Sequence, residues 1–412
     1  MAMTRNVVVT GIGMTTPLGG DAPTTWAAAL AGTPGGVRLG ADWDPEQPAQ
    51  IAALMRDNPA EILKPVEVRR MDPSEQCAII AAREAWADAG APEIDPIRLG
   101  TVVASGIGGI NSLISAYETL RDKGAARVSP HMVTMIMPNG PAAMVGIEVG
   151  ARAGVHTPVS ACASGAEAIS YAAKMIEDGR ADIVVAGGTE ACINGVTMAG
   201  FGAMRALSTR NDDPSTASRA YDMDRDGFVM GEGAGILILE EEEHARARGA
   251  KIYGRYGGAG LTSDGHHIAQ PDPEGAGASR AIQMALEDAE ISASDIIHVN
   301  AHATSTPQGD FAESVAIRKG LGGQADHAWV SATKSMTGHL LGGAGAVESI
   351  FAILALRDRI APPSINIFNF DPAIELQVTK DGPVQLPAGD IAALNNSFGF
   401  GGHDVALVFK SV

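Results

Sequence analysis

Cys162 immediately precedes a helix-like segment, and this position could make its thiol reactive. It lies in HTPVSACASGAEAISYAAKMIEDG (156–179), where small residues follow the strand-like TPVS and apolar residues then recur at helical spacing. Unpaired N–H groups at a helix N-terminus stabilise an anion, which favours a thiolate there. Judged by position alone, a buried cysteine that only packs remains the simpler interpretation, and it is the one adopted for Cys77 and Cys192.

Two histidines have settings that suit the same chemistry. His302 ends the apolar run DIIHVNAHAT, and His339 begins the glycine-rich helical segment HLLGGAGAVE, five residues after Lys334. A histidine at a helix N-terminus tends to stay neutral, so that its ring can donate a hydrogen bond. Metal binding is the competing use of these residues, but the chain has no C-x-x-C or H-E-x-x-H motif, which argues against it.

In the segment NNSFGFGG, Phe398 and Phe400 alternate with glycines shortly before the C-terminus. Glycine frees the backbone to move, so an aromatic ring there could act as a gate. A buried turn held by two rings is an equal alternative.

Composition excludes several classes of protein. Acidic residues outnumber basic ones 48 to 30, giving a formal net charge of −18, which argues against a nucleic-acid partner. Three cysteines cannot form a disulfide framework and suit a reducing compartment. The sequence shows neither a signal peptide nor an apolar run long enough for a membrane span, so we expect a cytoplasmic protein.

Strand-like and helix-like segments alternate along the chain, which predicts an α/β protein with buried, mostly parallel sheets. Strand-like runs include RNVVVTGIG, GTVVASGIGG, ADIVVAGGTE, GAGILILEE, DIIHVNAHAT, AWVSATKS and HDVALVF, and helix-like runs include SEQCAIIAAREAWADAG and GAVESIFAILALRD. PVSA (158–161) and WVSA (329–332) each precede a Gly/Ala-rich helix. This echo predicts a duplicated fold with halves at 1–255 and 256–412, and loop-rich insertions at 35–75 and 205–230.

Together these motifs resemble the β-ketoacyl-acyl-carrier-protein synthases, most closely the elongating type II enzymes. The resemblance extends from VVVTGIGMTTPLG to NNSFGFGG and includes ALSTRNDDPSTASRAYDMDRDGFVMGEGAG (206–235). It implies a thiolase-like fold, with two duplicated halves that form five layers, α-β-α-β-α, and a homodimer. It also implies an acyltransferase that performs a decarboxylative Claisen condensation of malonyl-acyl carrier protein with an enzyme-bound acyl thioester, giving 3-oxoacyl-acyl carrier protein in fatty-acid elongation.

The resemblance assigns catalytic roles to four residues. Cys162 is the implied nucleophile, and the neutral rings of His302 and His339 are the implied donors to the enolate. Lys334 keeps the electrostatics of the site in order, and we expect it to pair with Glu313. The backbone N–H groups of Cys162 and Phe400 form the implied oxyanion hole.

The resemblance also implies substrate and ion contacts. The implied substrate-binding residues are Thr304, Thr306, Phe398, Phe400 and Ile107, with the threonines on the phosphopantetheine arm and Ile107 in the acyl pocket. No cofactor of the enzyme itself is implied, because the carrier protein bears the phosphopantetheine. A structural sodium or potassium ion is implied at Asn300, Ala301, Glu348, Asn395 and Asn396.

Several relatives remain alternatives at this point. A catalytic ketosynthase subunit of a type II polyketide synthase has the same Cys-His-His set, and PHMVTMIMPNG (130–140) is similar to ketoacyl synthases that extend very long mycolate-type chains. Three other relatives do not fit the residues. A thiolase would need a further cysteine after Cys192, the initiating synthases have an asparagine where this chain has its second histidine, and chain-length factors lack the active-site cysteine that is present here. Ala303 replaces the glycine that is usual in the family.

Carrier proteins are acidic, so the net charge of this chain should repel them at long range. We expect a local basic patch at the pocket mouth, formed by Lys64, Arg69, Arg70, Arg127 and Arg205.

Overall fold

A computed structural model describes residues 5–40 and 43–412. The predicted first half begins at residue 1, so its first four residues and positions 41 and 42 lie outside the described part. The strands are β1 (Val7–Thr15), β2 (Val37–Arg38), β3 (Ile51–Ala52), β4 (Leu99–Ala104), β5 (Gly154–His156), β6 (Ile183–Glu190), β7 (Gly233–Glu241), β8 (Gly254–Ser263), β9 (Ile296–Asn300), β10 (Trp329–Ser331), β11 (Ile360–Ala361), β12 (Gln377–Val378), β13 (Val384–Gln385), β14 (Ala392–Gly399) and β15 (His403–Lys410).

The α-helices are α1 (Ala22–Leu30), α2 (Pro59–Ile62), α3 (Pro65–Val68), α4 (Pro73–Asp88), α5 (Ile110–Lys123), α6 (Met132–Ile136), α7 (Gly140–Val149), α8 (Ser164–Glu177), α9 (Gly195–Ala203), α10 (Glu242–Ala247), α11 (Ala276–Asp288), α12 (Pro307–Leu321), α13 (Lys334–Thr337) and α14 (Ala344–Asp358). Short 3-10 turns cover Pro96–Arg98, Ala125–Arg127, Ala161–Ala163, Pro214–Thr216, Ala293–Asp295, Gly322–His327 and Leu341–Gly343. Among the described helices, none combines the length and the apolar character that a membrane crossing requires.

The two halves of the chain repeat one topology. Eleven strands follow the order β12-β10-β9-β14-β15-β8-β1-β7-β6-β4-β5. The run β1-β7-β6-β4-β5 and the run β8-β15-β14-β9-β10 have the same chain order and the same sequence of antiparallel and parallel pairings. The duplication predicted from the sequence is therefore confirmed. The boundary after residue 255 stays a prediction, and it falls inside β8.

The helices and strands alternate in five layers. One apolar core lies between α4, α7 and the sheet of the first half, and another lies between α11, α12 and the sheet of the second half. The largest core fills the space between the two halves of this eleven-stranded sheet, where α8 and α14 pack against each other. This α-β-α-β-α arrangement explains why α14 is apolar on all sides, because both of its faces are buried.

Two expectations about the strands were wrong. The sheet is mixed rather than mostly parallel, because β7 and β15 each return antiparallel to both of their neighbours. The strand-like TPVS is not a strand, since β5 ends at His156 before it. The seven strand-like runs and the helices predicted at α4, α8 and α14 are confirmed, whereas the glycine-rich β8 was not predicted.

Matching glycines allow each sheet to approach its outer helix. A Cβ built on Gly13 of β1 would lie 2.1 Å from the carbonyl oxygen of Ala81 in α4. Its counterpart on Gly260 of β8 would lie 1.9 Å from the carbonyl oxygen of Ala281 in α11. Both positions therefore require glycine for packing, and the contact is repeated by the duplication.

We expect Gly13→Ala and Gly260→Ala each to lower the free energy of unfolding by about 1–3 kcal/mol, because the added methyl group forces a strand and a helix apart. Urea unfolding followed by circular dichroism measures this change. Gly200→Ala is the matched control, since a Cβ there meets no atom within 4 Å. Equal effects in all three variants would contradict the close-packing argument.

Candidate active site

Cys162 lies in a tight turn between a loop and α8. The turn Ala161–Ala163 begins with a positive φ of 50° at Ala161 and continues directly into the helix. A Cβ on Gly399 would lie 2.3 Å from the carbonyl oxygen of Ser160 and 3.2 Å from the backbone nitrogen of Cys162. The glycine at position 399 thus lets the NNSFGFGG segment approach the cysteine.

The second half contains the corresponding turn. Leu341 has a φ of 45°, and the turn Leu341–Gly343 leads into α14, two residues after His339. A Cβ on Gly165 of α8 would lie 2.7 Å from the carbonyl oxygen of Gly342, so the two turns are in close contact. Because of this contact, the nucleophile turn of one half lies beside the histidine segment of the other.

Most of the residues predicted for the site line one cavity of about 610 Å³. They are Cys162, His302, Thr304, Thr306, Glu313, His339, Phe398 and Phe400. Lys334 is buried behind this wall, and Ile107 packs in an apolar cluster that also contains Cys162. The tertiary structure therefore brings together groups that are up to 238 positions apart in the printed sequence.

The two imidazole rings that line the cavity meet edge to face. The centroids of the His302 and His339 rings are 5.3 Å apart, and the rings are nearly perpendicular at 87°. The ammonium of Lys334 lies 3.3 Å from Nδ1 of His302. Because an ammonium can only donate, Nδ1 accepts and the proton of the neutral ring lies on Nε2.

Both histidines are neutral near physiological pH. Burial lowers the pKa of His302 and of His339 well below the usual value, and the charge of Lys334 lowers each further. For His302 the neighbouring His339 contributes as well. The prediction of uncharged rings that donate hydrogen bonds is thus consistent with the electrostatics of the site.

The thiol of Cys162 differs from the expectation of a resting thiolate. Burial raises the pKa of this thiol to about 12, although Lys334 lowers it. A helix N-terminus stabilises an anion by up to about 2 kcal/mol, or about 1.5 pKa units, which does not reverse the effect of burial. The resting group is therefore a protonated thiol.

Two backbone N–H groups face the sulfur of Cys162. Those of Phe400 and of Cys162 itself act to lower the pKa of the thiol, as hydrogen bonds to an anion do. These are the two groups that the resemblance implies for an oxyanion hole. Their position beside the sulfur suits an oxygen that develops negative charge on a carbonyl bonded to it.

The expected pairing of Lys334 with Glu313 was wrong. The ammonium of Lys334 instead forms a buried ion pair with Oε1 of Glu348 in α14, at 2.5 Å. Glu313 instead accepts the backbone N–H groups of His302 and Ala303, at 2.8 and 2.6 Å. Its role here is to hold the loop that carries the histidine.

Four of the five substrate residues predicted from the sequence line the cavity, and Ile107 lies in the apolar cluster with Cys162. Thr304 and Thr306 share a hydrogen bond of 3.0 Å between their hydroxyls at the wall. The ring of Phe398 lies 5.8 Å from that of His302, and the ring of Phe400 lies 6.3 Å from that of Phe201. Their roles as arm contacts and gate stay predictions.

The residues predicted for a monovalent ion have unsatisfied oxygens. Oε2 of Glu348, Oδ1 of Asn395 and Oδ1 of Asn396 are buried and have no hydrogen-bond partner. Ala301 and Asn300 are also buried. Carboxylate, amide and carbonyl oxygens are the ligands that hard cations prefer, so the residues fit such an ion. No group of three or more His, Cys, Asp or Glu side chains suited to a metal occurs within residues 5–40 and 43–412.

The basic residues predicted at the mouth are only partly brought to it. All five are exposed, but only Arg205 lines the active-site cavity. Arg70 lines a separate, smaller cavity with Glu67 and Arg83.

Sequence reasoning missed the ring of Phe228, which meets that of His339 edge-on at 5.3 Å. The 206–235 segment carries this residue, but nothing in its local pattern indicates that it reaches the site.

Two aspartates that the sequence did not single out also line the cavity: Asp264 directly after β8, and Asp404 in β15. Their carboxyls interact, and burial raises the pKa of Asp404 to about 8.

Comparison with known proteins agrees with this geometry. Residues 4–245 match the model of the β-ketoacyl synthase N-terminal domain, and residues 253–368 match that of the C-terminal domain. The chain belongs to the β-ketoacyl synthase family. A 3-oxoacyl-[acyl-carrier-protein] synthase 2 from Mycobacterium tuberculosis is 48% identical over 98% of this chain and 96% of the relative.

Two solved structures share the complete fold. A β-ketoacyl synthase from Burkholderia phymatum is 35% identical, with a TM-score of 0.90, over 99% of this chain and 100% of that one. A type II polyketide ketosynthase, solved in complex with its acyl carrier protein and bound to the hexaketide, is 32% identical with a TM-score of 0.91 over the whole of both chains. The thiolase-like fold predicted from the sequence is confirmed.

We expect Lys334→Met to lower the free energy of unfolding by about 3–5 kcal/mol, because the buried carboxylate of Glu348 loses its cation. The double variant Lys334→Met, Glu348→Leu should recover most of this loss, since it removes both charges. Urea unfolding measures the stability of each.

In both variants Nδ1 of His302 loses its donor, so we expect the proton of the ring to distribute between its two nitrogens. Nitrogen-15 chemical shifts of the ring report the tautomer. A ring that keeps its proton on Nε2 in the stable double variant would show that Lys334 does not set the tautomer.

Proposed function

We propose that this protein condenses a malonyl group on an acyl carrier protein with an acyl group bound to Cys162, giving a 3-oxoacyl carrier protein in fatty-acid elongation. The observation that carries the proposal is a single cavity lined by one thiol, Cys162, and by two neutral imidazoles, His302 and His339. A thiol hydrolase would need one histidine and an orienting carboxylate or amide, and a silent partner subunit would not need the cysteine.

Acyl transfer to Cys162 exchanges one thioester for another. The sulfur attacks the carbonyl carbon of the acyl carrier thioester, and the oxygen receives hydrogen bonds from the N–H groups of Cys162 and Phe400. The bond to the carrier sulfur then breaks, and that sulfur takes the proton that Cys162 loses. Because a thiol enters and a thiol leaves, the step tolerates a resting thiol with a raised pKa.

Condensation requires a stabilised enolate. Loss of carbon dioxide from the malonyl thioester leaves its electron pair on the remaining acetyl thioester as an enolate, whose oxygen accepts hydrogen bonds from Nε2 of His302 and of His339. The buried Nδ1 of His339 has no partner, which favours its proton on Nε2 as well. One such set of donors contributes roughly 3–4 kcal/mol.

The enolate carbon then attacks the acyl carbon on Cys162. The new carbon–carbon bond forms while the oxyanion rests on the same two N–H groups, and the bond to the sulfur of Cys162 breaks. The thiolate regains a proton from water, because a thiol with a pKa of about 12 is protonated near neutrality. Neutral histidines suit this sequence better than a general base, since no proton is removed from the malonyl carbon.

Fatty-acid elongation is favoured over a polyketide pathway by sequence similarity. The chain is 48% identical to the synthase from Mycobacterium tuberculosis but 32% identical to the polyketide ketosynthase. The substrate arm is the phosphopantetheine of the carrier, which we place against Thr304 and Thr306 at the cavity wall. Phe400 would gate the cavity, and Ile107 would limit the acyl pocket.

We also propose a homodimer formed through the edge of the first half. β5 ends the sheet and pairs only with β4, so its outer backbone groups are free to pair. The helix α5, which follows β4 in the chain, buries none of its residues, although Leu113, Tyr117 and Leu120 form an apolar stripe on one face. A second copy that pairs the same edge antiparallel would cover both, and a two-fold axis lets one surface serve both partners.

An ion at Glu348, Asn395 and Asn396 would complete the coordination of their unpaired oxygens, which we propose as a structural role only. Three free cysteines also suit a reducing cytoplasm, which we infer as the location.

The decisive experiment supplies a labelled acyl carrier protein and malonyl carrier protein and identifies the product. Cys162→Ala should bind no acyl group and form no extended chain, because the nucleophile is lost. His302→Ala and His339→Ala should still become acylated, while decarboxylation falls by about 10²–10³-fold as an enolate donor is lost. Mass spectrometry of the protein and of the products separates the two steps.

His327→Ala is the control, because this histidine is exposed and is not among the residues that line the cavity. Release of free acid in place of a chain two carbons longer would identify a hydrolase and reject the proposal. Normal extension by either active-site histidine variant would reject the roles assigned to the rings.

For the dimer, we expect sedimentation equilibrium to give twice the monomer mass. Val155→Asp, which puts a charge on the exposed face of β5, should shift the equilibrium towards monomer. Met284→Asp is the control, because its apolar side chain on α11 of the second half is 44% exposed, close to the 42% of Val155. A monomeric wild-type protein, or a Val155→Asp variant as dimeric as the control, would contradict the interface.

A further inference from the structure

A buried carboxylate that the condensation does not use lies close to Cys162. Glu190 is the last residue of β6 and is completely buried. Its Oε1 accepts hydrogen bonds from the Ser105 hydroxyl at 2.7 Å and from the Ile107 N–H at 3.4 Å. Its Oε2 accepts the N–H groups of Gly106 at 2.8 Å and Gly342 at 3.1 Å.

These four donors belong to two different parts of the chain. Ser105, Gly106 and Ile107 form the turn after β4, and the Ser105 hydroxyl also accepts the N–H of Gly108. Gly342 lies in the turn of the second half, which touches the helix that begins beside Cys162. The carboxylate of Glu190 thus joins the turn that carries Ile107 to the turn that follows His339.

The packing around these bonds leaves little freedom. A Cβ on Gly106 would lie 2.9 Å from Oε2 of Glu190 and 3.0 Å from the carbonyl oxygen of Ala161. A Cβ on Gly342 would lie 2.3 Å from the nitrogen of Gly106. The turn that carries Ile107 therefore packs between the carboxylate of Glu190 on one side and the peptide that precedes Cys162 on the other.

The donor set requires an acceptor at both oxygens. Backbone N–H groups can only donate. If a glutamine amide or a protonated carboxyl replaced the carboxylate, its own N–H or O–H donor would therefore point at one of these backbone N–H groups. A buried group that loses its partner costs about 1–3 kcal/mol, more when it is charged. The arrangement is consequently specific for a carboxylate of this length.

We propose that Glu190 is a positioning residue, whose carboxylate holds Ile107 and the 341–343 turn in register around Cys162 and thereby sets which acyl chains the enzyme accepts. Ile107 packs in the apolar cluster that contains Cys162, where the acyl chain would begin. A small displacement of the Ile107 turn would change the width of that space.

Burial raises the pKa of Glu190 to about 7, although its four hydrogen-bond donors lower it, so the carboxyl is mostly charged at about pH 8. This charge has a second effect on the same thiol. Burial is the main cause that raises the pKa of Cys162, Lys334 lowers it, and Glu190 raises it. Removing this negative charge would leave Lys334 as the charged group with the largest effect on the pKa of this thiol. A shorter carboxylate would keep the charge but lose the reach to all four donors.

Glu190→Gln and Glu190→Asp separate the two effects. The first keeps the length and removes the charge, so iodoacetamide should alkylate Cys162 about threefold faster at about pH 8, where the rate follows the thiolate fraction. The second keeps the charge, so its alkylation rate should stay within about twofold of that of the wild type.

Both variants should change the ratio of kcat/KM for hexadecanoyl and octanoyl donors by about tenfold, because each releases the Ile107 turn. Ser105→Ala removes one donor and keeps the carboxylate, and it should change the acyl ratio with a wild-type alkylation rate. Cooperative thermal unfolding shows whether each variant is folded. If Glu190→Gln is not, the acyl ratio of Ser105→Ala tests the positioning role in its place.

The proposal is overturned if these variants fold and keep the acyl ratio of the wild type, or if Glu190→Gln and Glu190→Asp alkylate at equal rates. The acyl readout rests on the proposed condensing function, whereas alkylation needs no substrate. A protein that never condenses but shows the alkylation difference would reject the function and leave the effect of the Glu190 charge on Cys162 standing.

Discussion

A buried ammonium is the constraint on which the active site depends. Lys334 is completely enclosed, and a charge in the protein interior costs several kcal/mol unless a partner compensates it. Glu348 supplies that partner and ties α13 to α14. Once fixed, the ammonium donates to His302, orients its proton towards the cavity and, with burial, keeps His302 and His339 uncharged. The carboxylate of Glu348 thus fixes the ammonium of Lys334, and this ammonium in turn places the proton of His302 on Nε2.

The duplicated fold gives this chemistry its geometry. Each half contributes one turn that begins with a left-handed residue, Ala161 or Leu341, and leads into a central helix. Such residues cost about 1–3 kcal/mol each, and the close contact of Gly165 with Gly342 stabilises the pair of turns. The first half supplies the thiol and the second supplies the histidines, so neither half forms the site alone.

The sequence predicted the duplication, the main strands and eight of the residues that line the cavity. Local patterns sufficed there because buried strands and central helices are apolar over their whole length. The mixed direction of the sheet was not predicted, since a strand has the same pattern in either direction. β8 was missed because its glycines, such as Gly260, remove the apolar signal in order to admit α11.

The sequence by itself determined which groups are the candidates for the chemistry: the thiol of Cys162, the rings of His302 and His339, and a lysine paired with a glutamate. Only the tertiary structure decided that the glutamate is Glu348, that the thiol rests protonated, and that Glu190 holds the acyl-side turn. The physical reason is that residue types and spacing fix chemical identity, whereas burial and pairing depend on which distant segments the packed helices and strands bring within a few ångströms.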